Sequence, residues 1–237
     1  MQTKKSKVWK VVSIVTIIIL LITIVVLSIL LSIKRKKEEL EIYYDQKCAA
    51  FELENINLAH NQIVFIGDSI TDYCKLDNYY SELPLAKYNR GISGDTTGGV
   101  LNRLKVSLFD IKPSKVVLMI GINDINWGVE NSEIIKNYRN ILKDISINLP
   151  QTEVFCVSIL PENKDLWVDV DKNMQTIKTI NPKIKKFADE FGYTYVDMFS
   201  QVAGSNDYLI KEYSDDGLHL NHAGYVKFST YLKPYLN

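Results

Sequence analysis

Hydroxyl, amide, carboxylate and imidazole side chains stand in short polar blocks of this 237-residue sequence. Ser69 follows a Gly-Asp pair, Asn123 follows a Gly-Ile pair, and Asp216 precedes His219 by three residues. A single turn of chain brings a carboxylate and an imidazole at that spacing together. Nucleophilic acyl transfer needs a hydroxyl, a base, a group that orients the base, and donors for an oxyanion. The sequence therefore contains the parts that this chemistry requires.

Each block alone also has an ordinary structural explanation. Asp and Ser are favoured helix N-caps, so the motif around Ser69 does not by itself require a catalytic role. Asn123 equally suits a turn or a cap. Between them, the block Asn89–Thr97 has two glycines, one of them Gly94, that allow close approach of the backbone. The combination of blocks is therefore the evidence for chemistry.

Other residues compete for the same roles. Ser93 is the rival nucleophile, but no comparable set of partners accompanies it. Of the three histidines, His219 alone has a carboxylate three residues before it. A metal site built from Asp68, Asp124 and His219 lacks the spacing of metal ligands. We therefore expect neither a metal nor a cofactor.

Short apolar runs and helical stretches alternate from residue 60 onward. The apolar runs predict buried strands, of which the second is weak, at Ile63–Ile66, Lys87–Gly91, Lys115–Ile120, Glu153–Ile159 and Tyr193–Met198. The remaining periodicity predicts helices at about 97–108, 131–147, 170–191 and 222–235. Such alternation indicates a doubly wound α/β domain with a parallel sheet covered on both faces. Ligands bind beyond the carboxyl ends of such strands, where the polar blocks fall.

The blocks resemble, in order, those of the SGNH (GDSL) hydrolase superfamily. The matching segments are Gly67-Asp68-Ser69, Gly91-Ile92-Ser93-Gly94-Asp95, Gly121-x-Asn123-Asp124 and Asp216-x-x-His219. The resemblance covers about residues 60–237, and Asn89–Thr97 also looks like the acetylhydrolase and lysophospholipase-like branch. It implies a three-layer α/β/α sandwich with a flavodoxin-like, mostly five-stranded parallel sheet. The G-x-S-x-G elbow of the α/β-hydrolases is absent from the sequence.

The resemblance also implies a role for each matching residue. Ser69 would be the nucleophile, His219 the general base and then acid, and Asp216 the group that holds the imidazole. The oxyanion would be bound by the backbone N–H groups of Ser69 and Gly94 and by the side-chain amide of Asn123. The resemblance therefore implies a serine esterase that works through an acyl-enzyme intermediate.

The N-terminal part of the chain differs in charge from the rest. Residues 1–37 contain eight Lys and Arg and no acid, so they carry +8, whereas residues 38–237 carry −8 and the whole chain is neutral. Between two basic clusters, residues 11–33 contain no charge, Pro or Gly. As a helix this segment is roughly 34 Å long, enough to cross a hydrocarbon core of about 30 Å. The segment therefore predicts a transmembrane helix and one lipid-bilayer partner.

Two alternatives to the transmembrane helix are less favoured. A cleaved signal peptide has a shorter apolar core and a small-residue cleavage site, and a buried helix needs more chain to cover it. We expect a basic tail at 1–10, the span at 11–33, a juxtamembrane stalk or helix at 34–59 and the hydrolase domain at 60–237. The flanking charges balance, so the expected extracytoplasmic location of the domain follows from the resemblance.

The substrate is only weakly encoded. We expect a small-molecule or glycan ester with a short acyl group, such as an O-acetyl group, and no nucleic acid partner. Aromatic residues near the predicted cleft loops suit either a sugar or acyl subsite or local packing: Tyr73, Tyr79, Tyr80, Trp127 and Trp167. The alternatives are a lysophospholipase or thioesterase of longer chains, acyl transfer to a sugar, and a tethered binding module without catalysis.

Overall fold

The computed structural model describes residues 2–237, with the side chains of residue 9 and residues 14–237. Its contacts divide the chain into a first unit that ends at Tyr43 and a compact unit, Tyr44–Asn237. Helix α1, Gln2–Asn55, contains this boundary. The domain limits set out above stay a prediction, although the compact unit begins before residue 60.

The apolar part of α1 has the composition of a membrane span. The mean hydropathy reaches 3.4 over its most apolar window, and none of that window is buried. A signal sequence near the N-terminus meets the same criteria of length and composition. The helix is therefore a candidate span.

The compact unit is organised around a parallel sheet. Its strands are β1 (Ile63–Gly67), β2 (Lys87–Gly91), β3 (Lys115–Met119), β4 (Glu153–Val157) and β5 (Thr194–Val196). They pair in the order β2-β1-β3-β4-β5, the flavodoxin-like order. In register, Gly67 at the end of β1 lies beside Gly91 on one side and Met119 on the other. The loops that follow the first three strands therefore leave the sheet at one edge.

Helices cover both faces of the sheet. They are α2 (Ser69–Asp72), α3 (Leu76–Tyr80), α4 (Thr97–Asn102), α5 (Ile122–Asn126), α6 (Asn131–Asn148), α7 (Val170–Phe191), α8 (Phe199–Val202) and α9 (His222–Leu236). A π-helical turn spans Lys105–Phe109, and a 3₁₀ turn spans Lys211–Tyr213.

The alternation of side chains along β1 separates two hydrophobic cores. Val64 and Ile66 point to the face covered by α4, α6 and α7, whereas Ile63 and Phe65 point to the face covered by α3 and α9. All of β1 is buried, as expected for a central parallel strand covered on both faces. The predicted three-layer α/β/α sandwich is confirmed.

The predicted helix at 97–108 is the main difference among the elements. It divides into α4 and the π-helical turn, with Arg103 between them. The backbone N–H of Arg103 is shared between the carbonyl groups of Gly99 and Val100. The side chain of Arg103 is buried, so its contacts, described below, compete with regular helical geometry.

Candidate active site

Ser69 stands at the first residue of α2, directly after the central strand. Asp68 caps the helix, because its carboxylate accepts the N–H of Ile70 at 3.0 Å. Gly67 leaves no room for a side chain, since a Cβ there would lie 2.2 Å from the carbonyl oxygen of Met119. The chain therefore turns sharply out of the sheet. The N–H groups of Ile70, Thr71 and Asp72 all bond to Asp68, and the N-terminal end of a helix favours negative charge nearby.

Ser69, His219 and Asp216 form a continuous chain of hydrogen bonds. The Oγ of Ser69 lies 2.8 Å from Nε2 of His219, across 150 residues of sequence. The Nδ1 of His219 lies 2.6 Å from Oδ2 of Asp216. The structure thus brings together the hydroxyl, imidazole and carboxylate that were selected from the sequence. This arrangement can remove a proton from the hydroxyl as it attacks an electrophile.

The second carboxylate oxygen of Asp216 shapes the loop that carries the imidazole. Its Oδ1 accepts the N–H groups of Leu218 at 2.9 Å and His219 at 2.8 Å. Partial burial would raise the pKa of Asp216, but these hydrogen bonds and the one from the His219 ring outweigh it and lower the pKa. The carboxylate therefore stays ionised beside the imidazole and fixes its orientation.

Asn123 contacts the neighbouring loop, which contains Gly94, through Asp95. Gly94 lies between β2 and α4 with a φ of 79°, a conformation that favours glycine. The Nδ2 of Asn123 donates to the carbonyl oxygen of Asp95 at 2.9 Å, so the amide is held against the residue after Gly94. An amide nitrogen carries two hydrogens. The amide nitrogen of Asn123 therefore carries a second hydrogen beyond the one donated to Asp95.

Asp124 holds the residue at which this loop ends, Thr97 at the start of α4. Its carboxylate accepts both the N–H and the hydroxyl of Thr97, at 2.9 and 2.6 Å. Burial raises the pKa of Asp124, and the two hydrogen bonds from Thr97 act in the opposite direction. Asn123 therefore holds the loop between β2 and α4, and Asp124 holds the first residue of α4, roles that the sequence analysis missed.

Arg103 connects this loop to the end of β1. Its guanidinium is buried and donates to Asp95 Oδ2 at 2.7 Å, to the carbonyl oxygen of Gly67 at 3.0 Å and to that of Arg90 at 2.8 Å. A buried charge is tolerated when it is paired and hydrogen-bonded in this way. No signal in the sequence separated Arg103 from the other basic residues of a predicted helix.

Asp68 is buried within this group of charges. Burial, the largest cause, raises the pKa of Asp68 to about 7 together with the negative charges of Asp95 and Asp124, against the N–H of Ile70 and the charge of Arg103, which lower it. The carboxyl group therefore caps α2 next to the nucleophile candidate, and it has no reacting role in the geometry.

The rival nucleophile has different partners. The hydroxyl of Ser93 lies 3.0 Å from that of Tyr73, and the backbone N–H of Ser93 donates to Asp72 Oδ2 at 3.0 Å. The Tyr73 ring lies 5.2 Å from the His219 ring and is 49% exposed. Ser93 is thus linked to a phenol, and Tyr73 forms one wall beside the imidazole.

The other aromatic candidates divide between the core and the surface. Tyr79 and Tyr80 are buried in the core on the α9 side of the sheet. Trp127, which ends the helix that carries Asn123, is 54% exposed. Trp167 is half-buried and its indole N–H donates to Asn126 Oδ1 at 3.3 Å. Tyr73 and Trp127 are therefore the aromatic side chains with surface to offer a substrate.

Comparison with known proteins gives the same family from sequence and from structure. Residues 65–227 match the model of the GDSL-like lipase/acylhydrolase family. The chain is 29% identical over 168 residues to subunit alpha2 of platelet-activating factor acetylhydrolase IB from Homo sapiens and from Gallus gallus, covering 70% of this chain and 71% of each relative.

Solved structures have the same fold. A Streptococcus pneumonia protein described as a platelet activating factor superposes with a TM-score of 0.81 at 29% identity, covering 87% of this chain and 99% of that one. A GDSL-like lipase from Bacteroides thetaiotaomicron has a TM-score of 0.70 at 23% identity, covering 80% and 96%. An acetylxylan esterase from Geobacillus stearothermophilus has a TM-score of 0.62 at 20% identity, covering 76% and 95%.

The fold and these matches define an ester hydrolase of the α/β/α type. The chain belongs to the GDSL-like lipase/acylhydrolase family.

Proposed function

We propose that Ser69, His219 and Asp216 hydrolyse a carboxylic ester through an acyl-enzyme intermediate. The observation that carries the proposal is the unbroken hydrogen-bond chain from Ser69 Oγ through both ring nitrogens of His219 to Asp216 Oδ2. The three side chains come from two distant parts of the sequence and meet at the carboxyl edge of the sheet, where α/β folds bind ligands.

In the first half of the reaction, Ser69 Oγ attacks the carbonyl carbon of the ester and its proton passes to His219 Nε2. Asp216 stabilises the resulting imidazolium through Nδ1–H. The tetrahedral intermediate then breaks its bond to the alcohol, which leaves with the proton from Nε2. In the second half, water gives a proton to Nε2 and attacks the acyl-enzyme. The second tetrahedral intermediate then breaks its bond to Ser69 Oγ, which takes the proton back from Nε2 as the carboxylic acid leaves.

Three donors are proposed to hold the oxyanion of the tetrahedral intermediate. They are the backbone N–H groups of Ser69 and Gly94 and the second N–H of the Asn123 amide. The bond from Asn123 to the Asp95 carbonyl supports this role, because it fixes the amide beside Gly94 before substrate arrives. Donors that are already oriented stabilise developing charge without a cost of reorganisation.

The proposed substrate is an ester of a short acyl group, such as an O-acetyl group on a glycan. The acetylhydrolase relatives at 29% identity support an acetyl group. Tyr73 exposes aromatic surface beside the His219 ring, and Trp127 exposes aromatic surface at the end of α5. Such surface suits stacking on a sugar ring.

A series of 4-nitrophenyl esters from C2 to C12 tests the acyl length. The proposal predicts the highest kcat/KM at C2 to C4 and its loss in the Ser69→Ala variant. A preference for C8 or longer identifies a lysophospholipase or thioesterase instead. Product analysis with added sugar acceptors separates hydrolysis from acyl transfer, because transfer yields an acylated sugar in place of free acid.

We further propose that residues 11–33 anchor the enzyme in the cytoplasmic membrane, with the compact unit outside. The length and hydropathy of α1 support an anchor, and the basic clusters on either side of the apolar segment can bind anionic lipid. Protease treatment of intact cells tests the topology. Digestion of the compact unit without lysis is expected, and protection until lysis contradicts the proposed orientation.

A further inference from the structure

The last turns of α1 pack against the loops of the site. Within the compact unit, Phe51 is buried and lies under the Arg90 guanidinium, 4.4 Å from ring centroid to Cζ. Glu54 pairs with Arg90 at 2.7 Å. The Tyr44 hydroxyl donates to the carbonyl oxygen of Gly99 at 2.9 Å. The segment Tyr44–Asn55 is therefore part of the compact unit and contacts both β2 and α4.

One contact of this segment leads directly to the proposed oxyanion loop. The Nζ of Lys47 lies 2.8 Å from Oδ1 of Asp72, and Oδ2 of the same carboxylate accepts the backbone N–H of Ser93 at 3.0 Å. Ser93 is the neighbour of Gly94, whose N–H is one of the proposed oxyanion donors. Lys47, Asp72 and Ser93 thus form a relay from α1 to that loop.

We propose that Lys47 is a positioning residue for the oxyanion loop, acting through Asp72 on the backbone of Ser93 and Gly94. This inference rests on the function proposed above. It assigns to the juxtamembrane end of α1 a role in turnover in addition to its connection to the apolar segment.

Because the ion pair of Lys47 and Asp72 is largely buried, the position of the Asp72 carboxylate depends on the Lys47 ammonium. The side chain of Lys47 is 26% exposed and that of Asp72 only 8%. Removing the ammonium takes the Lys47 ion pair from a carboxylate that is largely out of water, which is costly. The carboxylate lowers this cost by turning toward solvent, and that movement releases the Ser93 N–H. A charged acceptor holds an N–H more firmly than a neutral one, so the loop loses a strong restraint.

Close packing around Asp72 leaves its backbone little room to move. A Cβ on Gly91 would lie 2.2 Å from the backbone nitrogen of Asp72, so the end of β2 and the end of α2 are in direct backbone contact. Because Ser69 begins α2 and Asp72 ends it, one short helix carries both the nucleophile and the anchor of the oxyanion loop. A shift of Asp72 therefore changes the geometry between the two.

The test uses the full chain in detergent and 4-nitrophenyl acetate as substrate. Lys47→Met is expected to lower kcat about tenfold with KM changed by less than about twofold, because the lost interaction matters mainly in the transition state. Lys47→Gln should give the same loss, and Lys47→Arg should recover most of kcat. Lys105→Met is the matched control, since it removes an exposed ion pair with Asp110 and should leave kcat unchanged.

A double variant identifies the route of the effect. In an Asp72→Asn background, Lys47→Met should lower kcat by less than about twofold, because the relay is already broken. Wild-type kcat in both Lys47→Met and Lys47→Gln overturns the inference, as does an undiminished effect in the Asp72→Asn background. Ser69→Ala tests the proposed function separately: if it is inactive while the Lys47 variants match wild type, only the positioning role fails.

Discussion

The Asp216 carboxylate makes two hydrogen bonds to His219. Its Oδ2 lies 2.6 Å from the ring Nδ1, and its Oδ1 accepts the backbone N–H of the same residue at 2.8 Å. A carboxylate that binds both the ring and the backbone leaves the imidazole only one orientation. In that orientation Nε2 faces the Ser69 hydroxyl. A carboxylate acceptor at Nδ1 favours the tautomer with its hydrogen on Nδ1, which leaves Nε2 as the acceptor for the Ser69 hydroxyl.

The first prediction is that Asp216→Asn lowers kcat for 4-nitrophenyl acetate by about 10⁴-fold, because the amide favours the wrong tautomer of the imidazole. Asp215→Asn is the control, since its side chain bonds Asn221 and not His219. Steady-state kinetics at pH 7.5 measure both. A loss below about tenfold in Asp216→Asn contradicts the assignment.

The second prediction concerns the oxyanion donor. Asn123→Ala removes one of three proposed donors and should lower kcat about 10²–10³-fold, a smaller loss than that of a triad residue. Asn148→Ala, which removes an exposed amide on α6 that bonds only its own helix, should match wild type. An Asn123→Ala variant with wild-type kcat excludes the side chain from the oxyanion site.

The third prediction is that Tyr73 limits the size of the substrate. Its ring lies beside His219 and its hydroxyl is held by Ser93, so Tyr73→Ala opens one wall of the site. We expect the ratio of kcat/KM for the C8 ester to that for the C2 ester to rise about tenfold. Tyr73→Phe keeps the ring and should keep the wild-type ratio. An unchanged ratio in Tyr73→Ala places the acyl chain elsewhere.

The fold was predictable because its signals are local. Apolar runs marked the five strands, with each end placed within two residues, and the flavodoxin-like sheet was implied by the family resemblance. The candidate site residues were selected from four polar blocks taken together and from the family resemblance, because each block alone has an ordinary structural explanation.

What the sequence did not reveal depends on partners far away along the chain. Arg103 resembles a surface residue of a helix until Asp95 and two carbonyl groups surround it. Phe51 is one aromatic residue in a charged stretch that reads as a stalk, and its burial requires Arg90 of the edge strand. Neither contact has a spacing or periodicity that can be read from the segment itself.

The fourth prediction concerns the dependence of stability on pH. Glu162 is fully buried, and burial raises its pKa from 4.5 to about 7, against the hydrogen bond from Asn173 that lowers it. The unfolded chain releases this proton near its ordinary pKa, whereas the folded chain keeps it until about pH 7. The contribution of this proton to the free energy of unfolding is therefore complete below pH 4.5 and is lost as the pH rises through about 7.

Glu162→Gln removes this titration. The difference in melting temperature, variant minus wild type, should rise from pH 5 to pH 8. The rise should be equivalent to on the order of 3 kcal/mol in the free energy of unfolding. Glu52→Gln, an exposed change on α1, serves as the control and should show a constant difference. Parallel pH profiles of wild type and Glu162→Gln contradict the assignment of this proton to Glu162.

Labelling with a fluorophosphonate probe tests the central claim most directly, because the probe reacts only with an activated serine. Mass spectrometry of the labelled full chain should find the adduct on Ser69. Ser69→Ala should lose both the adduct and the hydrolysis of 4-nitrophenyl acetate, whereas Ser93→Ala should still be labelled on Ser69. An adduct on another serine, or a Ser69→Ala variant that hydrolyses the ester at the wild-type rate, contradicts the account.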